Sequence, residues 1–192
     1  MVTESINEYI FSLNDINECK ELTVNKLDID GEILTIDLND LYNIPNLESL
    51  SICNMTIGEN DIFVLENLKN LKILKLYNCD FSNKLLSSYF NNILINELVV
   101  DNTELDFNLI KVKYNKVIAK NISNIYDINS SELDISNAIG VDAEKIDFRK
   151  YDKLIISKSQ YISQKGIFTK QKGSTKIIVK SDLYDVVERT YE

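Results

Sequence analysis

The stretch LENLKNLKILKLYNCDF, residues 65 to 81, carries a mixed spacing of leucines. They recur every third residue and then after two, at Leu65, Leu68, Leu71, Leu74 and Leu76. A spacing of two puts side chains on one face of a strand, whereas a spacing of three or four is typical of a helix or turn. The stretch therefore predicts a short strand around residues 74–76, preceded by a turn or irregular helix that faces the same core.

The same spacing recurs along the chain. It returns upstream at Leu41, Ile44, Leu47, Leu50 and Ile52, and in shorter form at Ile95, Leu98 and Val100. The first apolar residues of the strand pairs are Leu22, Leu50, Leu74, Leu98, Val117, Leu133, Leu154 and Ile177. The average step between them is about 22 residues, within the range of about 20–29 that is typical of solenoid repeats. The steps that end at Val117 and Leu133 are shorter, so the repeat register between 107 and 150 is the least regular.

The segment LKILKLYNCDF, from Leu71 to Phe81, resembles the leucine-rich repeat, whose core reads LxxLxLxxN/CxL, with Cys79 in the Asn/Cys position. LESLSICNMTI and INELVVDNTEL match it too, except that Met55 and Thr103 fill that position. The resemblance implies an α/β leucine-rich-repeat solenoid. It would have about eight short parallel strands on its concave face, irregular or helical convex segments, and terminal capping helices. One such repeat cannot bury its own apolar side, but stacked neighbours can.

No linker or change in composition divides the chain, so we expect one domain over residues 1–192. Within it we expect an N-terminal cap at 1–20, repeats at 21–180 and a C-terminal capping helix at 181–192, because the ends of a solenoid expose core. Two convex segments also predict helices. These are Gly58–Leu68 and Ser82–Ile93, the second with Ser82 as its N-cap.

An asparagine directly follows most predicted strands, at Asn54, Asn78, Asn102, Asn121 and Asn137. The repeat family's asparagine stands one place later, faces inward and satisfies backbone groups. Either a shift of the strand end lets these residues do the same, or they form an exposed polar row. Asparagine also tolerates a tight turn at a strand end, and this alone would account for the row.

Composition argues against catalysis. The chain has no histidine, which removes histidine-based triads, histidine zinc sites and the usual neutral-pH base. Cys19 and Cys79 occupy inward repeat positions and are expected in the core, whereas Cys53 is expected nearer the surface. We therefore expect no enzyme, no metal and no cofactor.

Charge and hydropathy limit the partners and the compartment. The net charge of −9 disfavours general binding to polyanions. No signal-peptide pattern and no apolar run long enough to span a bilayer is present, so we expect a cytoplasmic protein without a membrane partner. Abundant Asn, Ile and Lys suggest a bacterial source.

Leucine-rich-repeat proteins typically bind other proteins through the strand-lined face, so the resemblance implies a partner-binding site. The residue between each apolar pair points to that face, which predicts Thr23, Ser51, Lys75, Val99, Ile118, Asp134, Ile155 and Ile178. The next outward position predicts Asn25, Cys53, Tyr77, Asp101, Lys120, Ser136, Ser157 and Lys180. The competing interpretation of the apolar members is cross-strand packing that only stabilises the sheet.

Residues 145–180 are basic. Against two aspartates stand Lys145, Arg149, Lys150, Lys153, Lys158, Lys165, Lys170, Lys172, Lys176 and Lys180. This segment either keeps the chain soluble, steers a charged partner, or binds an anionic ligand such as a nucleic acid. In the last case Phe148, Tyr151, Tyr161 and Phe168 would stack on bases.

Three functions follow. The first is a non-catalytic module that binds another protein, whose identity and stoichiometry the sequence does not reveal. The second is an immunity or inhibitor protein that neutralises a toxin, since a small acidic chain suits a basic target. The third, nucleic-acid binding through residues 145–180, is disfavoured by the net charge of −9.

Overall fold

The structure is a computed structural model that describes residues 19–25, 28–29, 32–33, 38–170 and 174–181. Its strands are β1 (Glu21–Asn25), β2 (Asp28–Ile29), β3 (Glu32–Ile33), β4 (Ser49–Cys53), β5 (Thr56–Ile57), β6 (Ile73–Tyr77), β7 (Asp80–Phe81), β8 (Glu97–Asp101), β9 (Tyr114–Lys120), β10 (Ser130–Asn137), β11 (Lys153–Ser157) and β12 (Lys176–Lys180). Eight of them form one sheet in the order β1-β4-β6-β8-β9-β10-β11-β12. Every neighbouring pair in this sheet is parallel, so the chain forms an α/β fold built on a parallel sheet.

The register of the sheet confirms the predicted strand positions. The first apolar residues of the eight pairs stand opposite one another across the sheet, from Leu22 on β1 to Ile177 on β12. The irregular copies obey the same register, because Val117 pairs with both Leu98 and Leu133. The shorter steps therefore shorten the connections and leave the strand alignment unchanged.

One hydrophobic core lies behind the sheet. Its members include both apolar residues of most strand pairs, such as Leu50 with Ile52 and Leu74 with Leu76. The cluster extends from Leu22 to Phe168 within the described residues. Since side chains alternate along a strand, the residue between each pair points to the other face of the sheet.

Short helices cover the far side of the core. They are α1 (Glu59–Asn67), α2 (Lys158–Ser163) and α3 (Lys165–Lys170), together with 3-10 helices at Leu38–Asn43, Lys84–Asn91, Phe107–Leu109, Ala143–Lys145 and Phe148–Lys150. α1 packs between the first two of these 3-10 helices. No helix in the described part of the chain is long and apolar enough to cross a membrane.

Both segments that were predicted to be helical contain a helix, but the helices are of different types. The segment Gly58–Leu68 contains α1, and the N–H of Gly58 donates to the Asp61 carboxylate at 2.8 Å. In the segment Ser82–Ile93 the helix is a 3-10 helix, and the prediction of Ser82 as its N-cap is wrong. Asn83 has an extended backbone and caps the helix instead, because its Oδ1 atom accepts from the Leu85 N–H at 3.0 Å.

The asparagines at the strand ends form an exposed row. Asn54, Asn78, Asn102 and Asn121 have φ angles of 57°, 52°, 46° and 52°, in the left-handed region. The Nδ2 atom of Asn78 donates to Asn54 Oδ1 at 3.1 Å, and that of Asn102 to Asn78 Oδ1 at 2.9 Å. Asn137 differs, because it is the last residue of β10 and lacks the positive φ. Tight turns thus explain four of these residues. The side-chain amides of Asn54, Asn78 and Asn102 bond to one another outside the core, and that of Asn121 donates to Asp101.

The residue that follows each asparagine of this row points into the core. The Oγ1 atom of Thr103 accepts from the Cys79 N–H at 2.9 Å and donates to the Asp101 carbonyl at 3.0 Å. The Cys79 thiol lies 3.4 Å from the Ile52 carbonyl oxygen. Cys79 and Thr103 therefore satisfy the buried backbone groups that asparagine serves in the repeat family's pattern.

Several predictions fall on residues that the structure leaves undescribed. These are the N-terminal cap at 1–20, apart from Cys19 and Lys20, the C-terminal capping helix after Ser181, and Lys172. The side chains of Asn25 and Lys170 also lie outside what the structure describes.

Candidate functional site

The face of the sheet that points away from the core carries the predicted binding residues. We call it the outer face and define it by three rows of outward side chains. The middle row contains Thr23, Ser51, Lys75, Val99, Ile118, Asp134, Ile155 and Ile178, each paired in register with the next. The eight predicted residues thus form one continuous line across the sheet.

A second row lies towards the carboxyl ends of the strands. It contains Cys53, Tyr77, Asp101, Lys120, Asn137, Ser157 and Lys180, and the backbone of Asn25 stands in register with Cys53. Asn137, not the predicted Ser136, stands opposite Lys120, because the register shifts between Asp134 and Asn137. The N–H and hydroxyl of Ser136 instead bond to Asp134 Oδ1, at 3.1 and 2.7 Å.

A third row, towards the amino ends, was absent from the predicted site. It contains Glu21, Ser49, Ile73, Glu97, Lys116, Glu132, Lys153 and Lys176. Lys116 pairs with Glu97 at 3.2 Å, and Lys153 with Glu132 at 3.0 Å. Extending the alternation by two residues upstream of the middle row would have found this row from the sequence.

Burial divides the middle row into covered and open positions. The side chains of Val99, Asp134, Ile155 and Ile178 are only 4–6% exposed, although they point away from the core cluster. Thr23 is exposed, and Ser51, Lys75 and Ile118 are partly exposed. Ile118 is therefore the apolar residue of this row that a partner would reach most directly.

An ion pair crosses the covered part of the face. Lys180 Nζ lies 2.6 Å from Asp134 Oδ2, so its side chain extends over the intervening strand β11. Asp134 is 5% exposed, and Ser136 supplies its other hydrogen bonds. Such a contact stabilises a carboxylate in an otherwise apolar row and helps to cover Ile155.

The open part of the face contains a tyrosine and a cysteine side by side. Tyr77 on β6 stands opposite Cys53 on β4. Burial raises the pKa of the Tyr77 phenol, and the nearby acidic groups of Cys53, Asp101 and Glu97 raise this pKa further. Burial also raises the pKa of the Cys53 thiol. At neutral pH Tyr77 is therefore a neutral hydroxyl that can donate or accept a hydrogen bond, and Cys53 remains a protonated thiol.

The basic segment does not form one patch. Lys153, Lys176 and Lys180 lie on the outer face. Arg149 pairs with Asp147 at 2.9 Å, and Lys145 pairs with Asp142 at 3.6 Å while standing over the Tyr126 ring. Lys150, Lys158 and Lys165 are exposed on separate short elements. Carboxylates therefore neutralise several of these cations locally.

The aromatic residues of the basic segment lie in the core. Phe148, Tyr151, Tyr161 and Phe168 are all buried, and the Phe148 and Phe168 rings pack edge to face with their centres 5.4 Å apart. The expectation that they stack on nucleic-acid bases is wrong, because their rings are covered by the protein itself.

A second exposed apolar group lies on the side of the short helices. It consists of Tyr42, Phe63, Leu85, Tyr89 and Leu94, which lie on or next to three neighbouring helices. Phe63 alone is 62% exposed on α1. The apolar spacing predicted a helix at Ser82–Ile93 but did not indicate that Leu85 and Tyr89 are exposed.

No family model matches the chain, and neither a curated protein nor a solved structure matches it. Within the described ranges, no three His, Cys, Asp or Glu side chains are grouped so that they could hold a metal ion.

Proposed function

We propose that the chain is a leucine-rich-repeat protein that binds another protein, without catalysis, through the outer face as its concave side. One observation carries this proposal. The outward side chains of eight parallel strands stand in register. Neighbouring strands lie about 4.8 Å apart, so each row presents a closely spaced line of side chains. Backbone hydrogen bonds already hold these positions, which lowers the entropy that is lost when a partner binds.

The open part of the face supplies the contacts that commonly dominate protein interfaces. Tyr77 is a partly exposed aromatic residue with a neutral hydroxyl, and Ile73 and Ile118 are partly exposed apolar residues on β6 and β9. Tyrosine is enriched at interface hot spots, where an apolar ring and a hydrogen-bonding group act together. These three residues form the proposed centre of the interface.

The test is capture of partners from a cell lysate of the source organism, with the full chain as bait. We expect Tyr77→Ala and Ile118→Asp to abolish capture of proteins that the unchanged chain retains. Phe63→Ala, on the exposed apolar group of the opposite side, is the matched control and should retain them. Urea unfolding establishes that each variant is folded. Retention of every partner by folded Tyr77→Ala and Ile118→Asp chains would reject the outer face as the binding site.

Neutralisation of a toxin remains a special case of the same proposal, because an immunity protein also acts by binding. It is supported by the small size and the net charge of −9, which suit a basic target. Co-expression with a toxin encoded beside the gene tests it. Rescue of cell growth that is lost with Tyr77→Ala supports this case, and rescue that is unaffected by that substitution contradicts it.

A further inference from the structure

The outer face carries a different charge from the rest of the chain. At its outward positions six lysines stand against five carboxylates, although the whole chain has a net charge of −9. Lys116, Lys153 and Lys180 each pair with a carboxylate of the same face. The described residues place no carboxylate within ion-pair distance of Lys75 or Lys120, which are partly exposed. These two lysines are therefore available to the carboxylates of a partner.

The two lysines stand diagonally across the open part of the face, which also contains Tyr77 and Ile118. Lys75 lies on β6 in the middle row, and Lys120 lies on β9 in the row towards the carboxyl ends. The two lysines stand at opposite corners of a rectangle of outward positions, with Tyr77 and Ile118 at the other two corners. Val99 and Asp101 of β8 lie between the lysines. The lysines are two strand spacings apart across the sheet and two residues apart along the strand direction. With about 4.8 Å between strands and about 3.3 Å per residue, this separates their Cα atoms by about 12 Å.

An α-helix can span this separation with two side chains of one face. An α-helix rises about 1.5 Å per residue, so positions i and i+7 lie on one side and about 10.5 Å apart. The rise of one helix turn, about 5.4 Å, is close to the strand spacing. Each turn of a bound helix can therefore place one contacting side chain over each strand. The flexible lysine stems take up the remaining difference.

We propose that the outer face docks an α-helix of the partner protein that carries carboxylates at positions i and i+7 and apolar side chains at i+3 and i+4. The carboxylates pair with Lys75 and Lys120, and the apolar side chains contact Tyr77 and Ile118. This inference rests on the proposed function and names the chemistry of the partner. The two lysine–carboxylate contacts act over short distances, whereas the net negative charge of the chain repels an acidic helix at long range. The contacts therefore determine which partner binds more than how fast it binds.

The two lysines contribute unequally. Asp101 stands opposite Lys120 and accepts a hydrogen bond from Asn121 Nδ2 at 2.7 Å. The negative charge of Asp101 weakens the attraction between Lys120 and a carboxylate of the partner. The neighbours of Lys75 on the adjacent strands, Ser51 and Val99, are uncharged. Reversal of the charge at Lys75 should therefore weaken binding more than reversal at Lys120.

The test is selection from a displayed library of helical peptides, about five turns long, randomised at i, i+3, i+4 and i+7, with the full chain as target. A library of unstructured random peptides is selected in parallel. We expect Asp or Glu at i and i+7 and apolar residues at i+3 and i+4. The Lys75→Glu/Lys120→Glu chain should select Lys or Arg at i and i+7, and should bind the original peptides at least tenfold more weakly. Lys84→Glu changes an exposed lysine on the 3-10 helix Lys84–Asn91, outside the outer face, and should leave selection unchanged.

The outcomes separate this inference from the proposed function. Absence of helical binders, helices without acidic enrichment, preference for the unstructured library, or the same selection by the doubly reversed chain would each overturn the acidic helix. If Tyr77→Ala still abolishes lysate capture in that case, the outer face remains the binding site and only the inferred partner chemistry fails. If selected acidic helices bind folded Tyr77→Ala and Ile118→Asp chains undiminished, both proposals fail.

Discussion

The Nζ atom of Lys180 lies 2.6 Å from the Oδ2 atom of Asp134, although β11 separates their two strands. Asp134 is almost completely buried between Ile118 and Ile155, so its charge depends on nearby donors. Lys180 supplies the cation, and Ser136 supplies two neutral hydrogen bonds. The contact ties the last described strand to a strand two places away.

Removal of the lysine should therefore destabilise the fold. We expect Lys180→Met to lower the free energy of unfolding by about 2 kcal/mol, because a buried carboxylate loses its cation. This is less than for a fully buried pair, since Lys180 itself is 41% exposed. Asp134→Asn should restore part of the loss when added to Lys180→Met. Urea unfolding followed by circular dichroism measures both effects. Lys176→Met is the control, because this lysine of the same strand forms no ion pair with the residues that the structure describes. Equal stability of Lys180→Met and the unchanged chain would show that the pair contributes nothing.

The buried hydroxyl of Thr103 should stabilise the stack of connections behind the strands. Thr103→Val removes the acceptor for the Cys79 N–H and leaves that buried donor unsatisfied, so we expect a loss of about 1–3 kcal/mol. Thr103→Ser keeps the hydroxyl and should lose much less. The exposed Thr56→Val is the matched control. Urea midpoints measure the order of stability, and a Thr103→Val chain as stable as Thr56→Val would contradict the assigned hydrogen bond.

At the left-handed turn of Asn78, a glycine variant should be more stable than an alanine variant, the reverse of the usual order of stability. With φ of 52°, an alanine there suffers about 1–2 kcal/mol of steric strain that glycine avoids. We therefore expect Asn78→Gly to be more stable than Asn78→Ala, although both lose the amide contacts with Asn54 and Asn102. At Asn137, the last residue of β10, alanine should be the more stable of the two. Thermal unfolding of the four variants tests this reversal, and the same order at both positions would refute it.

Buried tyrosines should make the fold sensitive to alkaline pH. Burial raises the pKa of Tyr114 and Tyr151, whose hydroxyls donate to the carbonyls of Phe90 and Ile128 at 3.1 and 3.0 Å. Above pH of about 10 the unfolded chain releases these protons and the folded chain retains them. The unfolded state then binds fewer protons, so the free energy of unfolding falls as pH rises from about 10 towards the raised pKa values. Below that pH their contribution is fully present.

Substitution of these tyrosines tests the origin of the alkaline loss. Tyr114→Phe/Tyr151→Phe should lose about 1 kcal/mol per hydrogen bond at pH 8 and should show a shallower decline of stability above pH 10. Urea unfolding between pH 8 and 11 gives the slope directly. Tyr42→Phe, at an exposed ring, serves as the control. A slope that stays unchanged in the double variant would assign the alkaline loss to other groups.

The spacing of apolar residues predicted the sheet well because it reports local geometry. The three-then-two spacing around Leu74 placed a strand there, and even the irregular copies at Val117 and Leu133 found their partners in register. The row from Thr23 to Ile178 followed from the same alternation. The membership of that row in an interaction site stays a prediction.

The errors arose where longer-range packing matters. The segment Lys84–Asn91 has the apolar spacing of an α-helix, but it forms a 3-10 helix that packs against α1 and the next connection. The bulge between Asp134 and Asn137 moved Ser136 out of the predicted row, and no local composition marked it. The aromatics from Phe148 to Phe168 carried a pattern that fits either base stacking or a core, and burial assigns them to the core.

Apart from the register shift in β10, the order of the strands, their register and the direction of their side chains could be predicted from residue spacing, because side chains alternate between the two faces along a strand. Coverage could not. Ile118 and Ile155 are the same residue type at equivalent positions, yet Ile118 is partly exposed and Ile155 is buried. That difference arises from residues distant in the chain, such as Lys180 reaching over β11, and a contact of that range leaves no periodic trace in the sequence.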